Sequence, residues 1–223
     1  MTVATKTHPM PFTRIELCVL SLVNGELQVL LGLRQSDPCR GKWAMPGGVL
    51  RIDLDSSLEA AAQRVAKERL GQELPYLRQQ CAVGHPKRDS RAPWSLSIVY
   101  RAMTPLENFH PKAGKRLEEL KWFPVDKAMV DETLAFDHQQ IVASAVKSLR
   151  EEVERLDIPF QMLPDMFTLG ELQATCGFLL GRDLDKSSFR RKLADKQIVR
   201  EVEGEFKRGA NRPAQLYKEI AHS

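Results

Sequence analysis

Apolar side chains crowd into two runs near the start of the chain, residues 14–23 and 27–34, and Asn24-Gly25-Glu26 parts them. Asn-Gly between apolar runs is the strongest short-range hairpin signal, since both residues accept the left-handed backbone of a tight turn. Residues 38–48 are punctuated by Gly and Pro and read as loop. Leu58, Ala61, Ala62, Val65, Ala66 and Leu70 then recur at helical spacing, with Asp55, Ser56 or Ser57 as cap and Gly71 as stop. Residues 94–103 alternate as a buried strand, and residues 120–125 form a short one ending at Pro124. Over residues 137–156, Ile141, Ala145, Leu149, Val153 and Leu156 line one helix face while Lys147, Arg150, Glu151 and Glu154 fill the other. Strands and helices in this mixture predict an α/β sandwich.

The pattern then changes. Asp157-Ile158-Pro159 and Pro164-Asp165 break the helix and put a domain boundary near residues 157–166. Thr168 followed by Glu171 is a capping-box pattern for a helix ending near Gly181. Asp185 starts a second helix with Phe189 and Leu193 inward. Residues 198–203 and 214–220 read as two strands around a Gly-rich basic tip at residues 204–213. Helix, helix and basic hairpin in this order predict a winged helix-turn-helix, so the whole chain is of the α+β class.

Composition sharpens this picture. At 223 residues and 43% hydrophobic content the chain can bury two unequal cores. We divide it into a flexible tail (1–11), a larger domain (12–156) and a smaller one (157–223). The longest apolar run, residues 17–33, is broken by Asn24, Gly25, Glu26 and Gln28, short of the roughly 20 continuous residues of a membrane span. The N-terminus has no secretion signal, so a cytoplasmic location and no membrane partner are expected. Cys18, Cys39, Cys81 and Cys176 are scattered and the histidines unclustered, which argues against structural zinc and for a reducing compartment. A net charge of +4 decides little by itself. Its distribution does more: residues 186–218 hold ten basic against four acidic residues. Cations gathered this way gain affinity for duplex DNA by counterion release. Lys186, Ser187, Ser188, Arg190, Arg191 and Lys192 are the candidates for the major groove, and Lys207, Arg208, Asn211 and Arg212 for backbone or minor groove. The alternative is a small basic domain that binds protein.

Gly41-Lys-Trp-Ala-Met-Pro-Gly-Gly48, then Ala60-Ala61-Ala62-Gln63-Arg64 and Gly71, resembles the Nudix family. That signature runs Gly, five residues, Glu, seven residues, Arg-Glu, an aliphatic, any residue, Glu-Glu, any residue, Gly. Aligned on Arg64 and Gly71, Ser56, Val65, Glu68 and Arg69 stand at its four glutamate positions, and the segment from Gly48 to Ser56 is two residues too long. The resemblance implies a Nudix-like α/β/α sandwich. It also implies slow or absent hydrolysis, because that chemistry places divalent metal on a diphosphate through helix carboxylates. No cofactor is expected beyond a weak Mg²⁺ at Glu68. A pocket without turnover still binds. Arg34, Arg40, Arg51, Arg64, Arg88 and Arg91 are candidates for pyrophosphate oxygens, Gly47, Gly48 and Glu68 for the pocket floor, and Trp43 or Trp94 either stacks on adenine or packs in the core. The rival reading is a working pyrophosphatase that uses Glu68 with Asp53, Asp55 or Glu59.

A degenerate Nudix domain followed by Phe167-Thr-Leu-Gly-Glu-Leu-Gln173, Phe189-Arg-Arg-Lys-Leu193 and Asn211-Arg-Pro-Ala-Gln-Leu-Tyr217 is similar to the Nudix-related transcriptional regulators of NAD metabolism, the NrtR type. The resemblance implies a repressor that binds a palindromic operator as a homodimer and releases it when ADP-ribose or a related nucleotide occupies the Nudix-like pocket.

Overall fold

A computed structural model describes residues 10–208 and 213–220; Asn211, Arg212 and most of the expected tail lie outside the described residues. β1 (Phe12–Val23) and β2 (Glu26–Arg34) form the expected hairpin. Asn24 and Gly25 carry φ of 51° and 77°, the two successive left-handed residues of its turn. Then come β3 (Trp43–Ala44), β4 (Gly47–Val49), α1 (Leu58–Leu70), β5 (Leu77–Pro86), β6 (Trp94–Met103), β7 (Leu117–Pro124), α2 (Val125–Ala128) and α3 (His138–Glu154). β1 is the centre of a seven-stranded sheet ordered β3-β2-β1-β6-β5, with β4 beside β1 and β7 beside β2. β1 and β6 run parallel from Phe12↔Ser95 to Leu20↔Met103.

Alternation along β1 explains the layers. Ile15, Leu17 and Val19 face a core shared with Ala61, Ala62, Val65 and Leu70 of α1. Cys18 and Leu20 face a second core shared with Ile141, Val142, Ala145 and Leu149 of α3. A strand buried on both faces reads as an almost unbroken apolar run. The result is the α/β/α sandwich expected. Each fully buried Leu or Ile contributes about 1.5–3 kcal/mol to holding the helices on the sheet.

Ser57 is the cap of α1, accepting the Ala60 N–H at 3.1 Å, and Gly71, at φ 75°, ends it. Three differences from the sequence reading are local. Residues 38–48 are not all loop, since β3 and the start of β4 lie there; β7 begins at Leu117; and β5 is a full edge strand.

The C-terminal part holds β8 (Phe167–Thr168), α4 (Leu169–Leu180), α5 (Lys186–Lys196), β9 (Val199–Lys207) and β10 (Ala214–Glu219), with strand order β8-β10-β9. The Thr168–Glu171 capping box is complete, and Gly181 ends α4 at φ 70°. The Asp185 side chain accepts the Ser188 N–H and caps α5, whose Phe189 and Leu193 are buried. β9 extends to Lys207, so the tip is shorter than residues 204–213. Segment 157–166 is packed: Ile158 joins the α3 core to Phe167, Leu172, Cys176 and Leu179, and Phe160 stacks on Phe167 at 5.7 Å. Among the described residues no helix is long and apolar enough to cross a membrane.

Candidate functional site

The Nudix-like site is built where β4 passes between β1 and α1. A Cβ on Gly47 would stand 3.0 Å from the Ile15 carbonyl oxygen, and one on Gly48 2.8 Å from Val65 Cγ2. Only glycines let this strand lie so close to both neighbours. Arg64 donates from Nε to Asp55 at 2.6 Å and from Nη2 to Asp55 and the Val49 carbonyl at 2.8 and 2.9 Å. Its remaining nitrogen stands 3.5 Å from Glu68. The expected phosphate contact of Arg64 therefore gives way to a staple that ties the lengthened loop to α1. The carboxylates of the rival reading are engaged too: Asp53 pairs with Arg51, Asp55 with Arg64, and Glu59 accepts the Tyr100 hydroxyl at 2.9 Å.

Arg69 holds the most telling position. It is 8% exposed and donates from Nε to the Gly47 carbonyl at 2.7 Å and from Nη1 to the Lys115 carbonyl at 3.0 Å. Nη1 also lies 3.8 Å from Glu68 Oε2. Burial lowers its pKa, with Glu68 acting in the opposite direction, yet a guanidinium starts so high that it stays charged. A cation covalently fixed to the chain thus sits between the loop carbonyl and the surviving box carboxylate.

Behind this site lies a buried charge network. Glu16, fully buried, accepts from Arg88 Nη2 at 2.9 Å and Arg14 Nε at 3.2 Å. Burial is the largest influence on its pKa and raises it, but His138, Arg88 and Arg14 together hold it well below the ordinary 4.5. His138 Nδ1 accepts the Met45 N–H at 2.9 Å, so a neutral ring carries its proton on Nε2. Nε2 stands 3.2 Å from Glu16, off the hydrogen-bond axis. Arg88 bonds Asp137 through Nε and Nη2, each at 2.7 Å, and Ser97 through Nη1 at 2.6 Å. Each of its three nitrogens bonds a protein group, so Arg88 ties β1, β6 and the start of α3 together. Glu16, Asp137 and His138 offer ligand atoms within 4.8 Å of one another. Arg88 bonds both carboxylates and Arg14 pairs with Glu16 as well, so two guanidiniums stand against the two negative charges.

The other expected residues separate. Arg34 donates to the Pro38 and Ser36 carbonyls and lies over the Phe136 ring at 5.1 Å. Arg91 pairs with Asp89 and covers Phe12 at 4.9 Å. Arg40 is exposed, as is Arg51 beside Asp53. Trp43 packs edge-on against Phe123 at 4.9 Å, the core alternative, while Trp94 lies over Gly84 and is 42% exposed. Sequence reasoning missed Arg14, which pairs with Glu16, and Phe136, whose ring lies under Arg14 and Arg34 at 5.8 and 5.1 Å. Arg14 and Glu16 are charges inside an apolar strand, a signal that was there to be read.

In the smaller domain α5 leaves Lys186, Ser187, Arg190, Arg191 and Lys192 exposed along one helix, with Ser188 half-buried in its first turn. Arg208 is exposed at the end of β9. Lys207 is bonded to Glu171, the capping-box carboxylate of α4, and so is tied back to its own domain.

The NUDIX domain model matches residues 13–145 and the NrtR DNA-binding winged helix domain model matches residues 159–218. The ADPR responsive transcriptional repressor NtrR of Acinetobacter baylyi is 33% identical over 211 residues, 95% of this chain and 83% of that protein. Shewanella oneidensis NrtR, crystallised with a 27mer DNA, superposes with a TM-score of 0.76 at 30% identity over 93% of each chain. The NUDIX domain of Shewanella oneidensis NrtR, crystallised with ADP ribose, does so with a TM-score of 0.57 at 29% identity over 64% of this chain and 90% of that one. With both domain types in this order over nearly its whole length, the chain belongs to the NrtR family of NUDIX and winged-helix transcriptional regulators.

Proposed function

We propose that this protein is a cytoplasmic, homodimeric repressor of genes of NAD or related nucleotide metabolism, which binds a palindromic operator through α5 and the wing and leaves it when ADP-ribose occupies the NUDIX pocket. The observation that carries the reading is the pairing of two features in one chain: an exposed basic α5 on a winged helix, and a box helix with Ser56, Val65 and Arg69 where the signature has glutamates. The relatives support both halves, one being an ADPR responsive repressor and the other having been crystallised with DNA and, as its NUDIX domain, with ADP ribose.

Hydrolysis is absent in this reading. Mg²⁺ needs near-ideal octahedral oxygen ligation, and Glu68, which has a guanidinium within 4 Å of each carboxylate oxygen, offers it poorly. Two-fold symmetry follows from the palindrome, since symmetric half-sites are read by symmetric protein.

A mobility-shift assay on DNA upstream of the protein's own operon tests the proposal. Expected are a shift that unrelated duplex does not compete at equal salt, reversal by ADP-ribose, and a weaker shift for Arg190→Ala. Equal affinity for unrelated DNA sinks the operator reading. Release of AMP from ADP-ribose and Mg²⁺ at about 1–10³ s⁻¹, the usual enzyme range, sinks the loss of hydrolysis.

A further inference from the structure

Gly47 and Gly48 are flanked by two guanidiniums. Arg14 Nη2 lies 3.4 Å and Glu16 Cγ 3.1 Å from where a Cβ on Gly47 would stand, and Arg69 Nη2 lies 3.7 Å from the equivalent point on Gly48, on the other face of β4. Arg14 and Arg69 are only 5% and 8% exposed. Each is anchored by other nitrogens, Arg14 Nε on Glu16 and Arg69 Nε and Nη1 on the Gly47 and Lys115 carbonyls. Neither Nη2 makes a hydrogen bond to another described residue, and neither is among the wholly enclosed polar atoms. Both are therefore donors held in place and open at one end. The charges that act most on Arg69 are Arg14, Arg64 and Arg116 on one side and Glu68 on the other, and the buried Glu16 beside Gly47 is already paired with Arg14 and Arg88.

Such a place does not fit a divalent cation. The Gly47 carbonyl and Glu68, the oxygens a metal would use here, already face the guanidinium of Arg69. A doubly charged ion added beside it would meet like charge at contact distance. The place fits an anion with several acceptor oxygens, because fixed guanidinium donors match phosphate geometry.

We propose that Arg69 stands in for the divalent metal of the box, so that the chain binds the diphosphate of its effector without metal. This rests on the reading of the NUDIX pocket as a nucleotide diphosphate sensor and names the groups and the metal requirement of that same site. Substituting a fixed cation for a mobile one keeps the attraction for diphosphate and removes the metal that hydrolysis needs.

Calorimetric titration of the full chain with ADP-ribose, and separately with inorganic pyrophosphate, in EDTA and in Mg²⁺, tests the proposal. Both ligands are expected to bind in EDTA with affinities within about twofold of those in Mg²⁺, and Arg69→Gln to weaken both by about tenfold or more in a variant that still unfolds cooperatively, at a lower melting temperature because the Gly47 and Lys115 carbonyls lose donors. Binding that requires Mg²⁺ overturns the proposal and leaves the sensor reading standing. Undiminished binding by a folded Arg69→Gln variant also overturns it. Metal-free binding of pyrophosphate without ADP-ribose binding supports the cradle and sinks the ADP-ribose reading. Binding of neither ligand sinks both. Should Arg69→Gln fail to fold, the EDTA comparison on the unmodified chain still decides.

Discussion

At the residue scale, the arginines show what charge in a sequence does and does not reveal. Arg64 and Arg88 carry the donors a diphosphate needs, yet Asp55, Glu16, Asp137 and Ser97 consume them. Those partners are 9 to 72 residues distant along the chain, beyond any local pattern. Arg88→Met takes from Glu16 and Asp137 a guanidinium that bonds both. Removing one partner of a buried pair costs about 3–5 kcal/mol, and urea unfolding is expected to show a loss of that size. Glu16 itself predicts a pH dependence. Its folded pKa lies well below the ordinary 4.5, so its contribution to stability is complete above 4.5 and is lost as pH falls through the folded value. Unfolding free energy measured from pH 6 downward is expected to decline below about pH 4.5, and less steeply in Glu16→Gln; parallel curves for the two proteins contradict the assignment.

At the element scale, legibility follows how local the cause is. The helices were readable to within a few residues because their stops and caps lie in adjacent sequence: Ser57 and Gly71, Thr168 with Glu171 and Gly181, Asp185 before α5. β5 was not. Its exposed, polar residues show no alternation strong enough to stand alone, and β6 defines the strand by pairing along Leu77 to Pro86. The Lys207–Glu171 bond is likewise a contact between elements that no local pattern announces. If Lys207 meets DNA, Glu171 competes with a phosphate for its ammonium. Glu171→Gln keeps a side-chain oxygen for the Thr168 N–H and removes the charge holding Lys207. Non-specific duplex binding by this variant is expected to show a log–log salt slope steeper by about 0.9, the value for one extra phosphate contact. An unchanged slope means that Lys207 does not reach DNA.

At the scale of the whole molecule, the question is how occupancy of the NUDIX pocket reaches α5. The sequence placed a boundary at residues 157–166 from its prolines, but it could not show that the segment is packed, because Ile158 and Phe160 meet partners on both sides of it. α3 runs from the pocket to α4. Its N-terminus is fixed beside the pocket, where His138 takes the Met45 N–H and Asp137 holds Arg88. Its 17 residues extend about 25 Å. Arg150, on its later turns, reaches Asp126 after β7 at 3.1 Å and the Leu179 carbonyl of α4 at 3.5 Å, joining the two domains through one side chain. If α3 carries the effector signal, Arg150→Ala removes a tie between the domains while touching neither the Gly47–Gly48 cradle nor α5. Affinity for operator alone and for ADP-ribose alone should then each stay within about threefold, while the factor by which ADP-ribose weakens operator binding falls from the usual 5–150-fold range of allosteric coupling toward one. Linkage makes the test stricter, because operator must weaken ADP-ribose binding by the same factor in each protein. An Arg150→Ala variant that retains the full factor in both directions excludes this side chain as the carrier and leaves the packed core through Ile158 and the Arg182–Glu154 pair as routes between the sites.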